Sequence, residues 1–133
     1  MKAARLVAPQ TFDFVELDEP TPVDGEVKIR IEATSVCGSD IHGIYHGGTP
    51  EEDYPLAPGV PCHEIAGTIV ESKTDALKEG QRAIVLPTRG MGGLSEYLVQ
   101  TPDRVLPVPD WGGLDEWVMC QHTGTVLYSV KQM

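Results

Sequence analysis

The alternation of apolar and polar residues predicts a chain made mostly of short strands. Between Val27 and Glu32 apolar residues alternate with charged ones, the two-residue period of a strand with one buried face. Six more segments are short and contain apolar or β-branched residues, and Gly, Pro or Asp occur in the stretches between them. They are Lys2–Val7, Phe12–Leu17, Ile65–Ser72, Arg82–Leu86, Glu96–Val99 and Arg104–Pro107. We therefore expect a mainly β domain, built as a barrel or a sandwich.

Two segments are predicted to be helical. Gly38–Tyr45 is expected to form a short helix, whereas the Pro-rich, acidic segment Thr49–Pro61 is expected to be a surface loop. From Leu114 onward apolar residues recur loosely at helical spacing, which predicts a terminal helix. This helical pattern reaches Met133 without a Gly or Pro stop signal, so we expect the domain to lead into another.

Composition narrows the class of protein. A chain of 133 residues fits one domain, residues 1–133, and its 41% hydrophobic content suffices for a core without disulfides. The net charge of −10 argues against nucleic acid or an anionic membrane as partner, because both attract Lys and Arg. No apolar run is long enough to span a bilayer. An odd number of cysteines, with no signal-peptide pattern at the start, favours the reducing cytoplasm.

Two short segments concentrate the reactive side chains. Cys37–His42 offers a thiol, a hydroxyl, a carboxylate and an imidazole, and burying so many polar groups is costly unless they serve a site. Pro61–Gly67 adds His63, with the carboxylate of Glu64 beside it. If the backbone is extended here, His63 and Glu64 point to opposite faces, and we expect Cys62 to pack against the core.

A thiolate and an imidazole together suit zinc. Cys37 and His63 are too far apart in sequence for a zinc finger but fit a catalytic site assembled from separate parts of the fold. Such a zinc takes three protein ligands and keeps one position open, and only Met119–His122 offers further candidates for the third ligand. The alternative is that Cys37 is a core residue and His63 a structural histidine.

The pattern Cys-Gly-Ser-Asp-x-His at 37–42, followed by His-Glu-x-x-Gly at 63–67, resembles the medium-chain, zinc-dependent alcohol and polyol dehydrogenases. Gly80–Arg82, Leu94–Val99 and Val105–Asp110 are similar to further segments of that family. The resemblance covers the whole chain but only the family's amino-terminal catalytic domain. It implies a GroES-like, partly open β-barrel with short helices, whose C-terminal helix leads into a Rossmann domain absent from these residues.

The resemblance implies a set of metal ligands. Cys37 and His63 would be the first two ligands of one catalytic zinc, Asp40 would orient His63, and Glu64 would be an occasional ligand that exchanges with water.

The third ligand stays open. Aligned through Gly124-Thr125-Val126, the family's Cys or Glu ligand falls on Gln121, and a neutral amide is a poor zinc ligand. Cys120, one residue earlier, is therefore our first candidate, with Gln121 and His122 next.

The resemblance also implies a proton path and a cofactor. Ser39 would take the alcohol proton and pass it through the cofactor's ribose to His42, with Glu64 as the other catalytic residue. Gly38, His42 and Thr125 would contact NAD or NADP. The substrate would be a small alcohol or polyol, and the full-length protein could be a homo-oligomer.

Two departures from the family pattern matter. No cysteine lies between Cys62 and Cys120, and Thr88–Gly93 leads directly to Leu94, so we expect no structural zinc. No Gly-x-Gly-x-x-Gly follows a predicted strand, so most of the dinucleotide site is missing and this piece alone should be inactive.

Two other functions remain open. The chain could come from a zinc-free reductase relative, as the neutral Gln121 suggests, or it could be a stand-alone GroES-like binding module if Met133 is the natural terminus.

Overall fold

A computed structural model describes residues 1–88 and 92–133. The strands in the described residues are β1 Lys2–Ala8, β2 Thr11–Glu16, β3 Val27–Ser35, β4 Glu64–Ser72, β5 Arg82–Val85, β6 Tyr97–Gln100 and β7 Val105–Pro107. The helices are α1 Gly38–Asp40, which continues as a π-helical turn at Ile41–Tyr45, then α2 Leu114–Trp117 and α3 Cys120–Gln132. Short 3₁₀ turns lie at Glu51–Asp53 and Pro102–Arg104.

The strands form two antiparallel sheets. β1 pairs with β2, and the larger sheet has the order β6-β3-β4-β5-β7. The backbone N–H of Ala4 donates to Leu94 O at 2.8 Å, which joins the hairpin to the segment before β6. Among the described residues the sheets do not close into a barrel. The prediction of a mainly β, GroES-like, partly open fold is confirmed.

The core lies on one face of the larger sheet. Val27 and Ile29 of β3 are fully buried while Arg30 is exposed, which confirms the alternation in the sequence. The same core cluster contains Ile65, Ile69, Leu77, Ala83, Val85, Leu98 and Val105. Burying each large aliphatic side chain stabilises the fold by about 1.5–3 kcal/mol. This buried core supports the sheet in which β3 and β4 are neighbours.

The predicted helices are present, but the apolar residues of α3 are not part of this core. Leu114 and Val118 are buried against Ala66 of β4. The side chains of Val126 and Val130, farther along α3, are more than half exposed. None of the helices in the described part of the chain is long and apolar enough to cross a lipid bilayer. Residues 89–91, half of the Thr88–Gly93 connection expected in place of a structural zinc lobe, lie outside the described residues.

The pairing of β3 with β4 requires a glycine at 67. The register shifts between Ile31 and Ala33, and a β-bulge of this kind bends the strand. A Cβ at Gly67 would overlap the carbonyl oxygen of Arg30 and come within 2.9 Å of Ile29 Cγ2. The close approach of the two backbones therefore excludes a side chain.

We predict that Gly67→Ala lowers the free energy of unfolding by about 1–3 kcal/mol, because β3 and β4 must separate to admit the methyl group. Denaturant titration measures this change. Gly124→Ala on α3 is the matched control, since an added Cβ meets no atom within 4 Å there. In a helix Ala is favoured over Gly by about 0.5–1 kcal/mol, so the control should be neutral or stabilising. Equal stability of the two variants would contradict this account of β3–β4 packing.

Candidate metal and active site

A buried carboxylate joins the two reactive segments. Asp40, at the end of α1, is 2% exposed. Its Oδ2 accepts the backbone N–H of Cys37 at 3.0 Å, and its Oδ1 accepts that of Cys62 at 3.3 Å. Oδ1 also lies 2.9 Å from Nδ1 of His63. The loop after β3 and the segment before β4 are thus held together by one charged side chain.

Asp40 also fixes the direction in which His63 can act. A carboxylate next to Nδ1 favours the tautomer that carries its proton there, which leaves the lone pair on Nε2. The side chain of His63 is 47% exposed, so Nε2 is not enclosed by the core. The structure therefore shows the Asp40–His63 pairing that the resemblance implied and leaves one ring nitrogen for a ligand.

Three other donors converge beside this pair. One donor atom each from Cys37, Glu64 and His122 lie within 4.8 Å of one another. His122 Nε2 is 2.9 Å from Glu64 Oε1, and the Glu64 side chain is 5% exposed. Among the described residues, neither Glu64 Oε2 nor His122 Nδ1 has a hydrogen-bond partner, although both atoms are buried.

This donor set fits a zinc ion. Zinc is bound by thiolate at about 2.3 Å and by imidazole or carboxylate at about 2.0–2.2 Å, so a modest contraction of the group would suffice. Unpartnered polar atoms in a buried position are rare in folded proteins, and a bound cation would give the Glu64 carboxylate a partner. His63 is not one of the three converging residues, but Asp40 holds its ring next to the backbone of Cys37.

Gln121 holds α3 against the start of β4. Its Nε2 donates to the carbonyl oxygen of His63 at 3.1 Å, and its Oε1 accepts the backbone N–H of Ile65 at 2.7 Å. Sequence reasoning placed Gln121 only as a weak candidate ligand and missed this contact. The amide oxygen, the atom that could bind a metal, is already used by the backbone.

Cys120, our first candidate for the third ligand, is not a member of the converging group. Its side chain is exposed and lines an apolar pocket of about 580 Å³ with Leu106 and Tyr128. Successive side chains on a helix point about 100° apart, so Cys120 and His122 face different surroundings. The structure brings His122, the last of the three candidates, to Cys37 and Glu64.

The remaining predicted residues lie around this centre. Gly38, Ser39 and His42 are exposed on α1 and the turn after it. His42 packs near His46, with ring centroids 6.4 Å apart, and His46 is exposed as expected. Thr125 lies one turn beyond Gln121 on α3, and its hydroxyl donates to the carbonyl oxygen of Gln121 at 3.1 Å.

Cys62 is a core residue, as the sequence predicted, and it is 3% exposed. Burial, together with the nearby Asp40 carboxylate, raises the pKa of the Cys62 thiol to about 11. A thiol with this pKa stays protonated at neutral pH. The backbone of Cys62 adopts a φ of 107°, a left-handed conformation that favours glycine.

Known proteins are similar to this chain in sequence. The sequence profile of the alcohol dehydrogenase GroES-like domain matches residues 23–110. The starvation-sensing protein RspB of Escherichia coli is 32% identical over 126 residues, which cover 90% of this chain and 36% of RspB. An uncharacterized zinc-type alcohol dehydrogenase-like protein of Haemophilus influenzae is 38% identical over 90 residues, covering 65% of this chain and 25% of that protein.

A similar solved structure is the 2R,3R-butanediol dehydrogenase of Bacillus subtilis. It superposes with a TM-score of 0.78 at 25% identity, and the match covers 98% of this chain and 46% of that one. The chain thus spans between a quarter and a half of the length of these three proteins.

We predict that Cys62 resists alkylation in the folded domain of residues 1–133, because its thiol is buried and its pKa is about 11. Cys120 is exposed in this domain and should react first. Mass spectrometry after iodoacetamide treatment at pH 8, with and without denaturant, measures both. Labelling of Cys62 as fast as Cys120 under native conditions would contradict the placement of this thiol.

We predict that Asp40→Asn lowers the free energy of unfolding by about 2–3 kcal/mol, since an amide cannot replace a carboxylate that accepts from two backbone N–H groups and faces an imidazole. Asp53→Asn, on an exposed turn, is the matched control and should leave stability unchanged. Thermal and denaturant unfolding measure both variants. Wild-type stability of Asp40→Asn would show that the carboxylate does not join the two segments.

Proposed function

Because the chain belongs to the alcohol dehydrogenase GroES-like domain family, we propose that it is the catalytic domain of a zinc-dependent dehydrogenase. The full-length protein would oxidise a small alcohol or polyol, with NAD or NADP as hydride acceptor. The observation that carries this proposal is the meeting of Cys37, Glu64 and His122 beside the Asp40–His63 pair. A thiolate, imidazoles and a carboxylate are together the ligands that zinc takes in proteins.

In this proposal Cys37 and His63 hold the zinc, and Glu64 is a ligand that exchanges with water. A bound zinc would supply Lewis acidity, which lowers the pKa of an alcohol so that hydride can leave its carbon. Asp40 keeps the proton of His63 on Nδ1, which presents Nε2 as the donor atom. The buried Glu64 has a carboxylate oxygen close to a donor atom of Cys37, and a bound dication would offset the charges of a carboxylate and a thiolate there.

Proton transfer is assigned to the exposed residues of α1 and the turn after it. Ser39 would accept the alcohol proton, and His42, whose ring reaches solvent, would release it. The space beside Gly38 at the same turn is open, because an added Cβ there would meet no atom within 4 Å. The cofactor could therefore approach the backbone at this residue. Thr125, on the exposed part of α3, would lie near the nicotinamide ring.

We assign the larger part of the dinucleotide site to a nucleotide-binding domain of the full-length protein. Much of α3 is exposed and apolar, and the pocket lined by Leu106, Cys120 and Tyr128 is apolar as well. Such a surface suits burial by further chain. The three cysteines are unpaired, in keeping with a protein of the cytoplasm, and association of the full-length protein into an oligomer is part of the same proposal.

We predict that the full-length protein binds about one zinc per subunit in this site, and that Cys37→Ala loses the metal together with alcohol oxidation, because a methyl group replaces the only thiolate at the converging donors. Metal analysis and the rate of NAD or NADP reduction measure the two effects. Circular dichroism verifies that the variant is folded.

If Cys37→Ala retained zinc and full activity, the assignment of Cys37 to the metal site would be wrong. Activity of the wild-type protein that survives exhaustive chelation would favour the zinc-free reductase instead. One observation favours this zinc-free function. The side chain of Gln121, at the position of the family's third ligand, is hydrogen-bonded to the backbone and is not free to bind a metal.

A further inference from the structure

We propose that His122, on α3, is a ligand of the metal in this site, at the place expected for Cys120 or Gln121. The inference rests on the proposed function, because it needs a metal at Cys37. The resemblance aligns the family's Cys or Glu ligand with Gln121. The ligand proposed here is the next residue along the chain.

The first argument is the state of the buried atoms. Glu64 is almost fully buried, and its Oε2 has no partner among the described residues. The Nδ1 atom of His122 is also buried and has no hydrogen-bond partner among the described residues. His122 Nε2 lies 2.9 Å from Glu64 Oε1, so the two side chains already meet at the place where Cys37 converges. A cation held by Cys37, Glu64 and His122 would give the buried Glu64 carboxylate a charged partner.

The second argument is the register of α3. Gln121 fixes the helix against β4 with both ends of its amide, so its oxygen is not free for a metal. Cys120 lies on the side of the helix that lines the apolar pocket. His122, unlike Cys120, has a donor atom within 4.8 Å of those of both Cys37 and Glu64. The contact made by Gln121 therefore sets the position of the residue that follows it.

The third argument is ligand chemistry. Imidazole binds zinc well, whereas a neutral amide is a poor ligand, so a histidine at 122 can replace the Cys or Glu that the family carries at the position of Gln121.

The test compares His122→Asn with His46→Asn in the full-length protein. Both remove one imidazole, but His46 is exposed and lies outside the converging group. Zinc affinity is measured by competition with a chelating dye, and zinc X-ray absorption counts the bound imidazoles and sulfurs. We expect His122→Asn to weaken zinc binding by more than about 100-fold, beyond the effect of losing a residue that only supports a ligand. The imidazole count should fall by one, and His46→Asn should change neither quantity.

A second variant protects the test against a folding defect. His122→Cys should retain zinc, with one imidazole fewer and one sulfur more, because a thiolate replaces the ring as ligand. Unchanged zinc affinity of His122→Asn, or an unchanged imidazole count, would overturn the proposal. Loss of a sulfur from the zinc of Cys120→Ser would overturn it in favour of Cys120.

Failure of this inference is distinct from failure of the proposed function. If Cys37→Ala and Glu64→Gln lose zinc while His122→Asn keeps it, the metal site stands and His122 is not a ligand. If Cys37→Ala and Glu64→Gln both keep zinc, the site assignment itself is wrong.

Discussion

The buried carboxylate of Asp40 is the interaction on which the candidate site depends. A charge at 2% exposure is costly unless several donors satisfy it, and here two backbone N–H groups and the His63 ring do so. Those donors belong to segments far apart in sequence, so the same bonds that stabilise the charge also bring Cys37 and His63 together. Structural and chemical roles are joined in one side chain.

The terminal helix contributes the second constraint. Gln121 binds the backbone at both sides of Glu64, and His122 meets the Glu64 side chain itself. Two neighbouring residues thus act on one strand end, the first by placing the helix and the second by placing an imidazole. Because the apolar residues farther along α3 are exposed, these polar contacts, with the buried Leu114 and Val118 before them, hold the start of the helix to this domain.

Most of the fold could be predicted from the sequence. The Val27–Glu32 alternation and the Gly and Pro residues between segments located the strands, because the period of burial and the backbone preferences of those residues are local properties. The terminal helix was also predicted, but its packing was not. Apolar spacing shows which residues share a face, whereas what covers that face depends on the rest of the protein.

The sequence by itself determined the chemical inventory of the site: two candidate thiols, three candidate imidazoles and two carboxylates, in motifs specific enough to indicate the family. It also determined that Cys62 would be buried. Only the tertiary structure decided which residue of Met119–His122 reaches Cys37. That choice depends on the rotation of α3 about its axis, where one residue amounts to about 100°. The rotation is fixed by the bonds of Gln121 to a strand more than fifty residues away, and no local pattern encodes such a contact.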